Sequence, residues 1–224
     1  MLNIKDFKLI DLTHALTTDI PHWDIGCGFN SSITQDYSEH HFRVQKLELF
    51  AGIGTHMDAP AHYVANSGTI DQIPLEKLIA PAIVIDISEK SFANYVVSPQ
   101  DILNFENNYG KIAAQSCVLI YTGWSRYWNQ PQKYRNDLIF PRLARETAEI
   151  LLERDIVGLG VDTLSPDTSD DGFPVHELIL GAGKYLIENI ANANQLPPIR
   201  SYIFALPLKI RNGTEAPIRL IALI

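Results

Sequence analysis

The short stretch from Ala51 to Tyr63 contains three side chains that can hold a metal ion or move a proton: His56, Asp58 and His62. All three stand at even-numbered positions. Because successive side chains of an extended backbone point to opposite faces, these three would line one side of a strand or extended turn. Imidazole and carboxylate groups suit Zn²⁺ or Mn²⁺, and a carboxylate can also bridge two ions. The pattern indicates a metal site, and the alternative is a pair of half-exposed histidines beside a turn.

Three further residues extend this set of candidates. His176 lies near the start of a segment from Val175 to Ala193 that is predicted to be helical, and Glu188 follows in the same segment. In an unbroken helix these two residues would lie about 18 Å apart, which is too far to hold one ion. A break near Gly181 to Gly183 would bring them closer. Trp23 lies on an irregular segment, where an aromatic residue serves either as a lid over a ligand or as a packing plug.

The loop from Thr163 to Pro174 contains three aspartates that could bind calcium: Asp167, Asp170 and Asp171. The ligand spacing of an EF-hand and its closing glutamate are absent, so the sequence predicts a solvated turn.

The elements that must position these residues are strands and helices in a mixed order. Strands are predicted at 7–12, 42–50, 82–87, 116–122, 156–161, 199–208 and 218–224, with helices beginning after Ser98 and spanning 141–154. Asn212-Gly213 is a hairpin signal between the last two strands. One mixed α/β domain over residues 1–224 is the simplest interpretation.

Composition excludes several classes of function. The chain has 224 residues, a formal net charge of −8 and a pI near 5.3, so it offers no basic surface for nucleic acid. No apolar run is long enough to span a bilayer, and the first ten residues lack the features of a secretory signal. Cys27 and Cys117 carry no metal or redox spacing. We expect a cytoplasmic protein that acts on a small molecule, with neither nucleic acid nor membrane as a partner.

The motif Gly52-Ile-Gly-Thr-His-Met-Asp-Ala-Pro-Ala-His62 carries a family resemblance. Together with Asp11 to His14, Thr122 to Trp124 and Gly160 to Asp162, it resembles the cyclase-like metal-dependent hydrolases that include bacterial kynurenine formamidase (arylformamidase) and isatin hydrolase. The resemblance implies an α/β domain with a mixed sheet, of the swivelling β/β/α type. It also implies homodimers or homotetramers.

The resemblance further implies roles for individual residues. His56 and Asp58 match metal ligands, with Asp58 in a bridging place, and His176 and Glu188 match the remaining ligands of a second ion. His62 matches a catalytic histidine, and Trp23 matches an aromatic residue that contacts substrate.

The chain departs from the family motif at Gly52, where the motif has a ligand histidine. The set of Asp58, His176 and Glu188 is complete, so we expect one ion per chain rather than two, Zn²⁺ or alternatively Mn²⁺. His40 or His41 is an alternative source of the missing ligand. Their distance in sequence from the motif gives this alternative no geometric support.

The function implied is hydrolysis of a non-peptide C–N amide bond, with an aryl formamide such as N-formylkynurenine, an intermediate of tryptophan breakdown, as substrate. Two alternatives stay open. One is a catalytically impaired family member that binds a small ligand, and the other is a hydrolase that opens a lactam or lactone ring.

Overall fold

A computed structural model describes residues 6–24 and 28–224 of the chain. Its strands, in chain order, are β1 (Leu9–Asp11), β2 (Phe29–Gln35), β3 (Val44–Leu49), β4 (His56–Asp58), β5 (Ile79–Asp86), β6 (Val96–Val97), β7 (Cys117–Tyr121), β8 (Arg142–Leu143), β9 (Gly158–Val161), β10 (Tyr185–Glu188), β11 (Ser201–Pro207) and β12 (Glu215–Leu223). The α-helices are α1 (Tyr37–His40), α2 (Leu75–Leu78), α3 (Pro99–Tyr109), α4 (Pro131–Arg135), α5 (Arg145–Glu153) and α6 (Pro174–Gly181). In the described part of the chain, no helix has the length and apolar character needed to cross a membrane.

The main sheet is mixed and closes on itself. Its strands follow the order β1-β12-β11-β5-β7-β9-β10-β4, and β4 pairs with β12 as well as with β10. The strands β5, β7, β9 and β10 run parallel, and the remaining pairings are antiparallel. This confirms the mixed α/β fold and gives it a barrel-like form.

Strand β7 shows how the sheet separates two apolar cores. Cys117 and Leu119 point into the core enclosed by the curved sheet. Val118 and Ile120 point to the opposite face, into the core beneath helices α3, α5 and α6. Because both faces of the strand are covered, its sequence is a continuous apolar run rather than an alternating pattern.

Helix α3 begins as the sequence predicts. Pro99 is its first residue, and the Asp101 carboxylate accepts a hydrogen bond of 2.7 Å from the backbone N–H of Ser98. Helix α5, by contrast, begins at Arg145 rather than at Pro141. The prediction was wrong there because Arg142 and Leu143 form β8, which pairs with β6.

The segment after α6 is the part of the fold on which the site depends most. The prediction of an unbroken helix from Val175 to Ala193 was wrong. The structure instead has the break near Gly181 to Gly183 that the sequence offered as the alternative. The helix ends at Gly181, Gly183 adopts a positive φ of 71°, and strand β10 begins at Tyr185. Glycine adopts this left-handed conformation without steric cost, which allows the chain to turn there.

Strands β2 and β3 form a separate antiparallel ribbon. The sequence predicted β3 as part of 42–50 but did not predict β2. Within the ribbon, Phe29 and Leu49 pack at the edge of a core cluster, whereas Ile33 and Leu47 are exposed on the same face. Cys27 lies outside the described residues.

Candidate active site

Strand β4 brings the first candidate residues into a cavity of about 340 Å³. His56 stands directly opposite Glu188 on β10, and Asp58 stands directly opposite Glu215 on β12. Opposite residues of antiparallel strands project from the same face of a sheet. Strand register therefore gathers one imidazole and three carboxylates on one patch of the cavity wall.

His176 lies on helix α6 and faces the same cavity. The turn between α6 and β10 places this helix beside the sheet. Its Nε2 atom lies 3.8 Å from Asp58 Oδ2 and 3.6 Å from Glu188 Oε1. His56 Nε2 lies 3.4 Å from Asp58 Oδ1 and 3.3 Å from Glu188 Oε2. Two donors bound tetrahedrally to one ion at bonds of about 2.1 Å would lie about 3.4 Å apart. These separations match shared ligands better than direct hydrogen bonds.

The two imidazoles are oriented by partners on their other ring nitrogen. His56 Nδ1 lies 2.9 Å from the Gly54 carbonyl oxygen, and His176 Nδ1 lies 2.9 Å from the Asp167 carboxylate. An Nδ1–H that donates to these oxygens leaves the Nε2 lone pair facing the cavity. Metal-binding histidines are commonly held in this way.

Asp167 is not part of a solvated turn, and that prediction was wrong for it. The Asp167 side chain is buried, and its carboxylate also accepts hydrogen bonds from the backbone N–H groups of Val175 and His176. Asp170 and Asp171 are exposed, as expected of a solvated turn.

Electrostatics at the cavity wall favour a cation. Burial, with repulsion from Glu188, raises the pKa of Asp58 to about 6. Burial alone would lower the pKa of His56, but Asp58 and Glu188 outweigh it and raise that pKa to about 10. The same balance raises the pKa of His176, whose imidazole also faces Asp167.

Two carboxylate oxygens at this wall, Asp58 Oδ1 and Glu188 Oε1, are buried without a hydrogen-bond partner. No Lys or Arg is among the described residues that line the cavity. Buried carboxylate oxygens that lack a hydrogen-bond partner are costly unless a cation neutralises them. The donor set and its unsatisfied oxygens therefore fit a divalent cation.

His62 lies at the outer side of the cluster, on the turn that follows β4. Its Nδ1 atom is 3.2 Å from Glu215 Oε2, and its ring centroid is 5.9 Å from that of His176. Burial opposes protonation, but the hydrogen bond to Glu215 and the charge of Asp58 raise the pKa of His62 to about 9. This imidazole is placed to exchange a proton with a molecule in the cavity.

Aromatic residues border the other side of the cavity. Trp23 and Phe173 both line it, with ring centroids 6.0 Å apart, and Phe50 joins them. Trp124 does not line the cavity; it is buried in a core cluster behind Trp23, where its Nε1–H donates to the Tyr134 carbonyl oxygen.

The structure thus places all six sequence candidates at one cavity, namely Trp23, His56, Asp58, His62, His176 and Glu188. His40 and His41 are exposed and do not line it. The sequence did not single out Glu215, whose position depends on the pairing of β12 with β4.

Comparison with known proteins identifies the family. A family model described as a putative cyclase matches residues 10–168. The chain belongs to the cyclase family. An isatin hydrolase of Roseibium aggregatum is 32% identical over 186 residues, covering 76% of this chain and 71% of that protein. A kynurenine formamidase of Salinibacter ruber is 27% identical over 214 residues, covering 94% and 95%.

The same likeness extends to solved structures. Isatin hydrolase A from Labrenzia aggregata, bound to benzyl benzoate, superposes with a TM-score of 0.91 at 30% identity and covers 98% of this chain and 94% of that one. These similarities confirm the family resemblance and the fold, and they make this chain a cyclase-family hydrolase.

Proposed function

We propose that this cyclase-family protein is a metal-dependent hydrolase of a non-peptide C–N amide bond, with an aryl formamide such as N-formylkynurenine as substrate. The observation that carries the proposal is the buried cluster of imidazoles and carboxylates, with unsatisfied oxygens, facing a cavity bordered by aromatic rings. Kynurenine formamidases among the relatives support the choice of substrate.

The ion would be Zn²⁺, or alternatively Mn²⁺, held by Asp58, His176 and Glu188 with His56 beside them. A bound divalent ion supplies polarisation of a carbonyl oxygen and acidifies a water molecule. Asp167 would keep the Nε2 atom of His176 directed at the ion, because its carboxylate accepts the proton of the other ring nitrogen.

His62 would transfer the protons of the reaction. Its Nδ1 bonds Glu215, so Nε2 would be the atom that takes a proton from the attacking water and returns one to the leaving nitrogen. This needs the neutral ring, which a cation beside Asp58 favours because it offsets the carboxylate charge that raises the pKa of His62. An aryl amine is an easier leaving group than an alkyl amine, which suits a formanilide.

Trp23, Phe50 and Phe173 would bind the aryl ring of the substrate. The cavity of about 340 Å³ is of a size that takes a small aromatic molecule. Stacking on Trp23 would hold the ring in place while the amide faces the cluster of acids and histidines.

A second candidate function is the opening of a cyclic amide. Isatin is an aromatic lactam, and isatin hydrolases are among the similar sequences and structures. In this case the same groups act, and the amine that His62 protonates stays attached to the product.

The test is a hydrolysis assay with N-formylkynurenine and with isatin on protein purified without added metal. Activity that a chelator removes and Zn²⁺ or Mn²⁺ restores supports the proposal, and the preferred substrate decides between the two reactions. Metal-bound protein that hydrolyses neither compound would instead favour a small-ligand binding protein.

We also propose that copies of the chain associate as homodimers or homotetramers. The exposed apolar residues Ile33 and Leu47 on one face of the β2–β3 ribbon support this, because a two-stranded ribbon is marginally stable alone. Leu47→Lys should lower the mass measured by light scattering. The control Lys46→Ala lies on the opposite face and should leave it unchanged.

A further inference from the structure

Gly52 lies against the carboxylate of Glu215. A Cβ atom placed on Gly52 would collide with Glu215 Oε1, and it would lie 3.4 Å from His56 Nε2. Any other residue at position 52 would therefore displace the Glu215 side chain or be displaced by it. The glycine leaves the space that this carboxylate fills.

The closing strand of the sheet fixes where Glu215 stands. Its backbone is opposite Asp58 in the β4–β12 pairing. Hydrogen bonds hold the pairing on both sides of this position, from Ala59 N–H to the Thr214 carbonyl at 2.9 Å and from Ile218 N–H to the Thr55 carbonyl at 3.0 Å. The backbone of Glu215 is therefore held beside the cavity, which its side chain lines.

Glu215, His56 and Asp58 present donors to one point. One ligand atom from each lies within 4.8 Å of the others. Asp58 is 1% exposed, and its Oδ1 atom, on the side of His56, has no hydrogen-bond partner. A buried carboxylate oxygen without a partner indicates a ligand beyond the polar groups already present.

The two oxygens of Glu215 have different neighbours. Oε2 lies 3.2 Å from His62 Nδ1, whereas Oε1 lies beside Gly52, where it can serve as a ligand. One carboxylate can thus hold the His62 ring and contact a cation at the same time.

We propose that Glu215, His56 and Asp58 form a position for a divalent cation, and that the absence of a side chain at Gly52 is what admits the Glu215 carboxylate as a ligand. This position shares Asp58 with the set of Asp58, His176 and Glu188. The chain then holds two ions, and Gly52 marks an exchange of one ligand for another rather than the loss of a site.

The donor set also indicates which ions this position takes. One imidazole and two carboxylates give a harder, more anionic site than one with two imidazoles, which favours Mn²⁺ or Zn²⁺ over softer ions.

Because the proposal deepens the proposed metal-dependent activity and rests on it, its test measures bound metal as well as turnover.

The experiment is a set of variants loaded separately with Mn²⁺ and Zn²⁺, freed of loosely bound metal and measured by elemental analysis. We expect two ions per chain in the wild type and one in Glu215→Gln. The control Glu153→Gln removes an equivalent carboxylate whose side chain is 70% exposed, and it should keep both ions.

A pair of exchanges tests the role of Gly52. Gly52→His alone should not raise the metal content above the two ions of the wild type, because the new side chain takes the place of the Glu215 carboxylate rather than adding to it. Gly52→His combined with Glu215→Ala should restore the second ion, since the space and one donor are then both available. Thermal unfolding of each variant checks that the fold is intact.

Two outcomes would overturn the proposal, and a third would separate it from the proposed function. If Glu215→Gln keeps the wild-type metal content and loses only activity, Glu215 merely positions His62. A wild type that binds a single ion would also contradict it. If two ions bind in the wild type but no amide is hydrolysed, the cation position stands and the proposed function fails.

Discussion

The inner and outer parts of the cavity wall differ in how their residues are held. The side chains of His56, Asp58, His176 and Glu188 are between 2% and 8% exposed, whereas those of His62 and Glu215 are 34% and 22% exposed. The inner group is fixed by strand register and by hydrogen bonds to Gly54 and Asp167. Dry, fixed donors suit a cation, whereas a half-exposed imidazole suits a group that exchanges protons with solvent and substrate.

The largest effect should follow the loss of the carboxylate shared by both donor sets. Asp58→Asn keeps the shape of the side chain but removes its charge. We expect loss of bound metal and a fall in turnover of about 10³-fold or more, since a catalytic ion contributes several kcal/mol. Elemental analysis with an N-formylkynurenine assay measures both. Asp170→Asn is the exposed control, and unchanged metal content in Asp58→Asn would show that Asp58 is not a ligand.

His62→Gln should separate the two parts of the site. We expect kcat to fall by about 10²- to 10⁴-fold, as is usual when a general acid–base is removed, while the metal content is unchanged. His41→Gln, an exposed histidine outside the cavity, serves as the control. A parallel loss of metal and activity would show that His62 belongs with the inner group.

Asp167→Asn should lower the metal affinity of the inner group although Asp167 is not itself a metal ligand. The carboxylate orients His176, so we expect the affinity for Zn²⁺ to fall by about 10- to 100-fold. Titration against a competing chelator measures this. An unchanged affinity would mean that His176 needs no such support, or is not a ligand.

The pH dependence of stability should differ between the cation-free and the cation-bound protein. The pKa of His56 is raised to about 10 and that of His62 to about 9, so without a cation the folded protein binds more protons than the unfolded chain. Their stabilising contribution is complete below about pH 6.5 and is lost as pH rises toward about 10.

A cation competes with these protons, so its stabilisation should grow with pH. We expect Mn²⁺ to raise the unfolding temperature more at about pH 8.5 than at about pH 6.5. Thermal unfolding with and without MnCl₂ measures the shift. A shift that is equal or smaller at the higher pH would be evidence against cation binding at His56.

The smallest effect is expected at the aromatic border. Trp23→Ala removes a stacking surface worth about 0.5–1.5 kcal/mol, so KM should rise about 2- to 10-fold with kcat little changed. Trp23→Phe should preserve most of the binding. An equal KM in all three proteins would indicate that Trp23 is a packing residue, the alternative that the sequence left open.

The sequence predicted most of the inner group because its residues carry recognisable local signals. His56 and Asp58 lie in one motif, and the glycines at 181 and 183 mark the break that brings His176 and Glu188 together. Most strands of the sheet, such as the apolar run of β7, were also predictable, but β10 lay in a segment predicted to be helical.

What the sequence did not predict depends on contacts between distant segments. Glu215 is separated from Asp58 by most of the chain, and only the closure of the sheet through β4 and β12 makes them neighbours. Asp167 looked like a solvated loop residue because its hydrogen bonds go to the backbone and imidazole at the start of α6. Gly52 alone suggested a missing ligand, since the carboxylate that fills its space comes from another strand.

The most direct measurement is a titration of cation-free protein with Mn²⁺, in which bound metal and N-formylkynurenine hydrolysis are followed together. We expect saturable, stoichiometric binding with activity that rises as the sites fill and that disappears in Asp58→Asn. Hydrolysis at full rate by protein that contains no metal would contradict it, and so would the absence of any Mn²⁺ or Zn²⁺ binding.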